Sequence, residues 1–177
     1  IKMHAGISTN MDALSHCIPG AVSIAALDIN NFLAPARIID TSLKRTPDYT
    51  VSLEDILAHE KQYGSIAENS LVFFYTGWDD FWNNPSAYRN NYVFPKVGKD
   101  ACSYLLQKNI VGIGIDTLSP DRPADGFDVH QMLLGSGKYI LENVANLGNL
   151  PPAGAFSMAL PIKFIDGTEA PTRVVAF

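Results

Sequence analysis

Two hydrophobic patterns alternate along this chain: short continuous apolar runs and stretches with helical periodicity. The apolar runs Leu71–Tyr75 and 110–115 predict buried strands, because a strand covered on both faces needs no polar alternation. Phe156, Met158 and Leu160 alternate with small residues, and this period of two predicts another strand. Further strands are predicted over residues 36–40, 138–144 and 172–177.

Helices are predicted between these strands. Ser52 is a candidate N-cap with Asp55 three residues later, and Gly64 is a candidate stop signal for the same helix. Apolar residues at helical spacing predict two more helices over 100–107 and 129–134. The alternation predicts an α/β chain with about six strands, most of them buried.

Composition limits the function classes. The chain has 177 residues, which is the size of one domain, with 47% hydrophobic and 18% charged residues. The net charge of −5, without a basic cluster, argues against binding nucleic acids or anionic membranes. Cys17 and Cys102 are too few for a disulfide framework, so a reducing compartment such as the cytoplasm is expected.

The start of the chain bears on domain organisation. It begins at Ile1 rather than methionine, and the first residues lack a signal-peptide pattern. We therefore expect residues 1–177 to form a single domain whose N-terminal part is incomplete.

Asp12 and His16 are the first candidate pair for chemistry. If their segment is helical, a spacing of four places both side chains on one face. A carboxylate beside an imidazole suits a metal site or an oriented general base. The alternative is a turn aspartate beside a surface histidine.

Glu142 and His130 are also ambiguous. Glu142 shares a strand face with Ile140, where a carboxylate is costly unless it is paired or bound to metal, or unless that face is wet. His130 lies beside an apolar helix face. A lone histidine in that position is more often a hydrogen-bonded structural residue than a ligand. We expect His59 to be exposed and Cys17 to be a small buried thiol rather than a nucleophile.

Several stretches, in order along the chain, share the pattern of one known family. They are the segment Ser8 to His16, Tyr75-Thr-Gly-Trp78, the segment Val111 to Ser119 with Asp121, His130-Gln-Met-Leu-Leu134, Glu142 to Leu147, and Leu160-Pro-Ile with Gly167 and Pro171-Thr-Arg173. On these residues the chain resembles the cyclase family of metal-dependent hydrolases, the kynurenine formamidase and isatin hydrolase type. The first stretch lies along the second half of the family signature H-x-G-T-H-x-D-x-P-x-H.

The resemblance implies a swivelling β/β/α domain with a central mixed, barrel-like sheet flanked by short helices. It implies that Asp12, His130 and Glu142 bind one or two ions of zinc or manganese, and that His16 is the catalytic acid/base. Family members assemble as homodimers or homotetramers. Trp78 matches the family's T-G-W stretch, and it could wall an aromatic substrate or belong to the core.

The chain departs from the signature at two ligand positions. Asn10 stands where the second signature histidine should be, and Gly6 stands where the first should be. An amide oxygen in place of imidazole favours harder cations over zinc. Asn10 and His4 therefore remain weak candidate ligands.

Two functions follow from these observations. The first is a metal-dependent hydrolase that opens a formamide, cyclic amide or lactone in a small substrate. The second is a degenerate member of the family that binds partners and holds no tight metal. The retained Asp12, His16, His130 and Glu142 favour the first, whereas Gly6 and Asn10 favour the second.

Overall fold

A computed structural model describes residues 2–177, and Ile1 lies outside the described residues. This part of the chain contains nine strands and four α-helices. The strands are β1 (Asn10–Asp12), β2 (Leu33–Asp40), β3 (Thr50–Val51), β4 (Leu71–Tyr75), β5 (Lys96–Val97), β6 (Gly112–Ile115), β7 (Tyr139–Glu142), β8 (Ala153–Pro161) and β9 (Glu169–Ala176). The helices are α1 (Leu53–Tyr63), α2 (Pro85–Arg89), α3 (Lys99–Gln107) and α4 (Asp128–Gly135).

Seven of these strands form a closed barrel in the order β1-β7-β6-β4-β2-β8-β9. The pairs β2–β4, β4–β6 and β6–β7 are parallel. The other four pairs of the barrel are antiparallel: β7–β1, β1–β9, β9–β8 and β8–β2. Strands β3 and β5 form a separate parallel pair. The expected α/β fold with a mixed, barrel-like sheet and short flanking helices is therefore confirmed.

The barrel wall separates two apolar cores. Residues such as Met11, Phe73 and Leu141 point into the barrel interior. Their strand neighbours, such as Phe74 and Ile140, pack outward against α1, α3 and α4. This explains why the central strands are apolar on both faces, as expected for covered parallel strands.

The glycines of β6 make room inside the barrel. A Cβ atom on Gly114 would lie 2.5 Å from Cδ1 of Phe73, and one on Gly112 would lie 2.9 Å from Cδ2 of Tyr139. The two glycines therefore let side chains of the neighbouring strands pack closely against β6.

Helix α1 begins and ends where the sequence predicts. The backbone N–H of Ser52 donates to the Asp55 carboxylate at 2.8 Å, and Gly64 ends the helix with a φ of 86°. The expectation that His59 is exposed is wrong: it lies three residues after Ile56, on the buried face. Burial, together with the charge of Arg37, lowers the pKa of His59, so the ring is a neutral packing group.

Both cysteines are free thiols; Cys102 is buried and Cys17 is half-buried. Burial raises the pKa of each of them, which disfavours a reactive thiolate. No helix within residues 2–177 is long and apolar enough to cross a membrane.

Candidate metal centre

Strand β1 presents two polar side chains on the outer face of the barrel. Met11 points into the interior core, so Asn10 and Asp12 on either side of it point outward. The strand pairs with both neighbours, and its register places Asn10 opposite Glu142 of β7 and Asp12 opposite Glu169 of β9. Directly opposed residues share a face, which gathers four polar side chains at this seam.

Helix α4 adds His130 to the cluster. Its Nε2 lies 3.5 Å from Oδ2 of Asp12 and 3.4 Å from Oε1 of Glu142. Its Nδ1 lies 2.8 Å from Oδ2 of Asp121, whose oxygens also accept from the first backbone N–H groups of the helix. One carboxylate thus caps α4 and fixes the imidazole that α4 carries.

The charges of the cluster are strongly coupled. Burial opposes the imidazolium form, but the close carboxylates of Asp12, Asp121 and Glu142 outweigh it and raise the pKa of His130. Burial and the neighbouring Asp12 charge raise the pKa of Glu142. Without a cation, the buried carboxylates therefore need a proton or a positive ring between them.

Asn10 bridges the two carboxylates with its amide. Its Nδ2 donates to Oδ1 of Asp12 at 3.2 Å and to Oε2 of Glu142 at 3.4 Å. Its Oδ1 accepts from Nδ2 of Asn143 at 3.2 Å. In this orientation Asn10 stabilises the carboxylates as a donor, and its oxygen faces away from them.

His16 reaches the cluster by a route that the sequence spacing did not predict. The segment is not helical at Asp12, which ends β1; a short 3₁₀ turn, Leu14–His16, then carries the histidine. Strand pairing on both sides of β1 overrides the helical spacing. Ligand atoms of Asp12, His16 and His130 all lie within 4.8 Å of one another. The His16 side chain is 32% exposed, so it faces solvent at the mouth of the site.

His4 lies apart from this group. Its Nδ1 accepts from the backbone N–H of Gly6 at 3.2 Å and lies 3.9 Å from Oε1 of Glu169. The ring is mostly exposed. His4 therefore contacts Glu169 at the rim, while Asp12 and His130 lie deeper.

A cavity of about 370 Å³ adjoins the cluster through Asn143, which lines the cavity and donates to Asn10. The exposed indole that lines it is Trp82, whereas Trp78 is buried and donates from Nε1 to the backbone oxygen of Tyr88. Of the two positions considered for Trp78, the structure shows the one in the core, and Trp82 lines the cavity instead. The cavity is lined by His4, Gly6, Ile7, Ser8, Trp82, Pro85, Tyr88, Arg89, Leu118 and Asn143.

Three side chains of the site were not predicted as functional: Asp121, Asn143 and Glu169. Asp121 lies in the family-like segment, but it precedes Val129 by eight residues, so no local capping pattern marks it, and only the fold brings it to the start of α4. Asn143 follows Glu142 and so was adjacent to a predicted ligand. Nothing in the local sequence marks Glu169, because strand pairing alone brings it opposite Asp12.

Donor atoms of Asp12, His16 and His130 converge closely enough to hold a divalent cation. Asp12 is fully buried, and within residues 2–177 its Oδ2 accepts no hydrogen bond. Such an oxygen is costly unless a cation compensates it. Beside it are Oε1 of Glu142 and Nε2 of His130, and the ring of His130 is already oriented by Asp121, as in many metal-binding histidines.

Several known proteins are similar to this chain over most of its length. A family model described as "Putative cyclase" matches residues 1–122. Isatin hydrolase from Roseibium aggregatum is 32% identical over 188 residues, covering 98% of this chain and 71% of that protein. Kynurenine formamidase from Bacillus cereus is 29% identical over 177 residues, covering 99% of this chain and 76% of that protein. The crystal structure of an isatin hydrolase bound to the product analogue thioisatinate has a TM-score of 0.91 and 29% identity, covering 99% of this chain and 72% of that one.

Proposed function

This chain belongs to the cyclase family, and from that premise we propose that it is a metal-dependent hydrolase of a small amide, formamide or lactone. The observation that carries the proposal is the buried, unpartnered Oδ2 of Asp12 beside Glu142 and His130. The similarity of the chain to an isatin hydrolase and a kynurenine formamidase points to C–N bond hydrolysis in a cyclic or aromatic substrate.

We assign the ligand role to Asp12, Glu142 and His130. Asp121 keeps the Nδ1 proton of His130 in place, which leaves Nε2 free to bind. A divalent cation held there supplies Lewis-acid activation of water and of the scissile carbonyl. Zinc and manganese are the candidate ions, and the carboxylate-rich set favours manganese.

His16 is the proposed acid/base. It lies close enough to Asp12 and His130 to exchange a proton with a substrate seated between the cluster and the cavity. Its exposed position allows the proton to pass on to solvent. Trp82 and Tyr88 of the cavity supply the apolar surface on which a flat ring would stack.

Assembly and compartment are further parts of the proposal. Homodimers or homotetramers are proposed from the family resemblance. A reducing compartment such as the cytoplasm is proposed because both cysteines are free thiols.

One observation favours the second candidate, a metal-free binding protein. The Asn10 amide donates to both Asp12 and Glu142, and His130 faces the same carboxylates, so the cluster is partly compensated without a cation. Metal analysis separates the two functions. About one transition-metal ion per chain, retained through dialysis, supports the hydrolase, whereas no ion after soaking in Zn²⁺ and Mn²⁺ supports the binding protein.

His16→Ala tests the catalytic assignment. We expect metal content to stay at the wild-type level while kcat on the best formamide, cyclic amide or lactone substrate falls by about 10²–10⁴-fold, because a general acid/base contributes that much. His59→Ala is a control, since His59 packs on α1 outside the site. Unchanged turnover in His16→Ala would exclude this role.

A further inference from the structure

Gly6 and Glu169 are linked by the space they share. A Cβ atom built on Gly6 would lie 2.5 Å from Oε2 of Glu169 and 3.0 Å from its Cδ. The carboxylate therefore occupies the volume in which any side chain at position 6 would begin. A histidine at this position, as in the family signature, is incompatible with the Glu169 side chain where it lies.

Glu169 reaches this volume from β9, the strand that pairs with β1. It lies directly across from Asp12 in the β1–β9 pair, so both carboxylates are on the outer face of the barrel. Backbone hydrogen bonds fix the approach to β9: the N–H of Ala13 donates to the oxygen of Thr168 at 2.9 Å, and that of Ile24 donates to Gly167 at 2.8 Å.

The Glu169 carboxylate has no other structural task. Its side chain is only 15% exposed, yet within residues 2–177 it accepts no hydrogen bond. Its oxygens lie 3.9 Å from Nδ1 of His4 and 4.0 Å from Nδ1 of His16, and His16 is itself grouped with Asp12 and His130. A largely buried carboxylate without a hydrogen-bond donor is costly unless a positive charge compensates it, and carboxylate oxygens are common ligands of divalent cations.

We propose that Glu169 is a metal ligand that replaces the donor missing at Gly6. The inference rests on the proposed metal-dependent function and adds a third carboxylate, Glu169, to the ligand set, which strengthens the preference for an oxygen-seeking ion such as Mn²⁺ over Zn²⁺. Thiolate-free sites rich in carboxylates favour such ions because selectivity follows ligand type.

The test is direct binding of metal alone. Protein is stripped with a chelator and titrated with Mn²⁺, and the free ion is followed by its EPR signal; Zn²⁺ is then added in competition. Glu169→Gln keeps the shape of the side chain and removes its charge. We expect the Mn²⁺ dissociation constant to rise by at least about tenfold, the lower end of what even an outer-shell partner costs, with Zn²⁺ binding less affected.

Glu54→Gln is the matched control, because Glu54 is exposed on α1 far from the seam. A second pair of variants tests the replacement itself. Gly6→His alone should weaken metal binding because its Cβ meets Glu169, whereas Gly6→His with Glu169→Gly should bind metal again and shift the preference towards Zn²⁺. Thermal unfolding of the metal-free forms verifies that each variant folds.

The outcomes separate the two proposals. If wild type binds neither ion, the metal-dependent function and the role of Glu169 both fail. If wild type binds Mn²⁺ and Glu169→Gln binds it equally well, only the role of Glu169 is overturned. Equal binding by Gly6→His with and without Glu169→Gly would also contradict the shared-space argument.

Discussion

Asp121 shows how one carboxylate can prepare a metal-binding imidazole before any ion arrives. Its Oδ2 lies 2.8 Å from Nδ1 of His130 and also accepts the backbone N–H of the same residue at 2.9 Å. The ring is thereby held in one orientation, with Nε2 directed at Asp12 and Glu142. The same carboxylate therefore caps the helix and orients the ligand that the helix carries.

Replacing Asp121 by Asn should therefore weaken metal binding without emptying the site. The amide keeps one acceptor for α4 but removes the charge that holds the Nδ1 proton, so we expect about 10–100-fold lower affinity for Mn²⁺ or Zn²⁺. Titration of chelator-treated protein with Mn²⁺ or Zn²⁺ measures this affinity. Asp166→Asn serves as control, since Asp166 is exposed and its φ of 58° suits asparagine. Equal affinities in wild type and Asp121→Asn would contradict the orienting role.

At the scale of elements, the packing of β6 depends on its two glycines, Gly112 and Gly114. Gly114 lies against the ring of Phe73, which fills the barrel interior between β4 and β6. Added volume in a packed interior forces shifts of side chains or backbone.

Gly114→Ala should lower the free energy of unfolding by about 1–3 kcal/mol, the usual cost of overpacking. Urea denaturation measures this difference. Gly135→Ala provides the comparison, because its Cβ would meet Ile18 Cδ1 at an ordinary 3.6 Å and the residue lies in α4. If both variants unfold at the same urea concentration, Phe73 relaxes without cost.

Helix α1 is tied to its surroundings through Glu60. The carboxylate accepts from the hydroxyl of Tyr104 on α3, from the backbone N–H of Ile66 at 2.7 Å and from Oγ of Ser65 at 3.1 Å. Nζ of Lys108 lies 3.0 Å away. Burial opposes the charge, but these donors outweigh it and lower the pKa of Glu60 to about 2.

The low pKa of Glu60 predicts a pH-dependent contribution to stability. The unfolded carboxyl titrates near about 4.3, so the ionised group stabilises the fold fully above that pH and progressively less as pH falls towards 2. Glu60→Gln should therefore be less stable than wild type at pH 7, with a smaller difference at pH 3. Urea titrations at the two pH values provide the measurement. A constant difference would show that the charge of Glu60 is not involved.

Elements with a local signature could be predicted, whereas those created by pairing could not. The apolar run of β4 and the Ser52 cap of α1 are confirmed at the predicted residues because neighbouring residues determine them. Strand β1 has three residues, too few to show a period, and it forms only because β7 and β9 pair with it. Asp12 and His16 lie close together although the condition on which their pairing was predicted, a helical segment, is not met.

On the scale of the whole molecule, the candidate ligands come from parts of the chain that are far apart in sequence. Asp12 is on β1, His130 on α4 and Glu142 on β7. An ion that binds all three binds the folded chain only, so metal binding and folding are thermodynamically linked.

Saturating metal should raise the thermal midpoint of this chain. A concentration of 100 times the dissociation constant contributes about 2.7 kcal/mol, which corresponds to about 5–11 °C for a domain of this size. Differential scanning calorimetry over a Mn²⁺ series measures the shift, and His130→Ala should abolish it. A midpoint independent of Mn²⁺ would show that the ion does not bind the native state.

The closing position of β1 has one more consequence. This three-residue strand alone lies between β7 and β9 in the barrel, so its loss would turn a closed sheet into an open one. Strands β7 and β9 would then expose unsatisfied backbone groups along two edges. Edges of this kind recruit strands from other molecules. The segment that carries Asn10 and Asp12 therefore also protects the chain from aggregation, and a shortened chain that begins after Ala13 would be lost to self-association before its chemistry could be assayed.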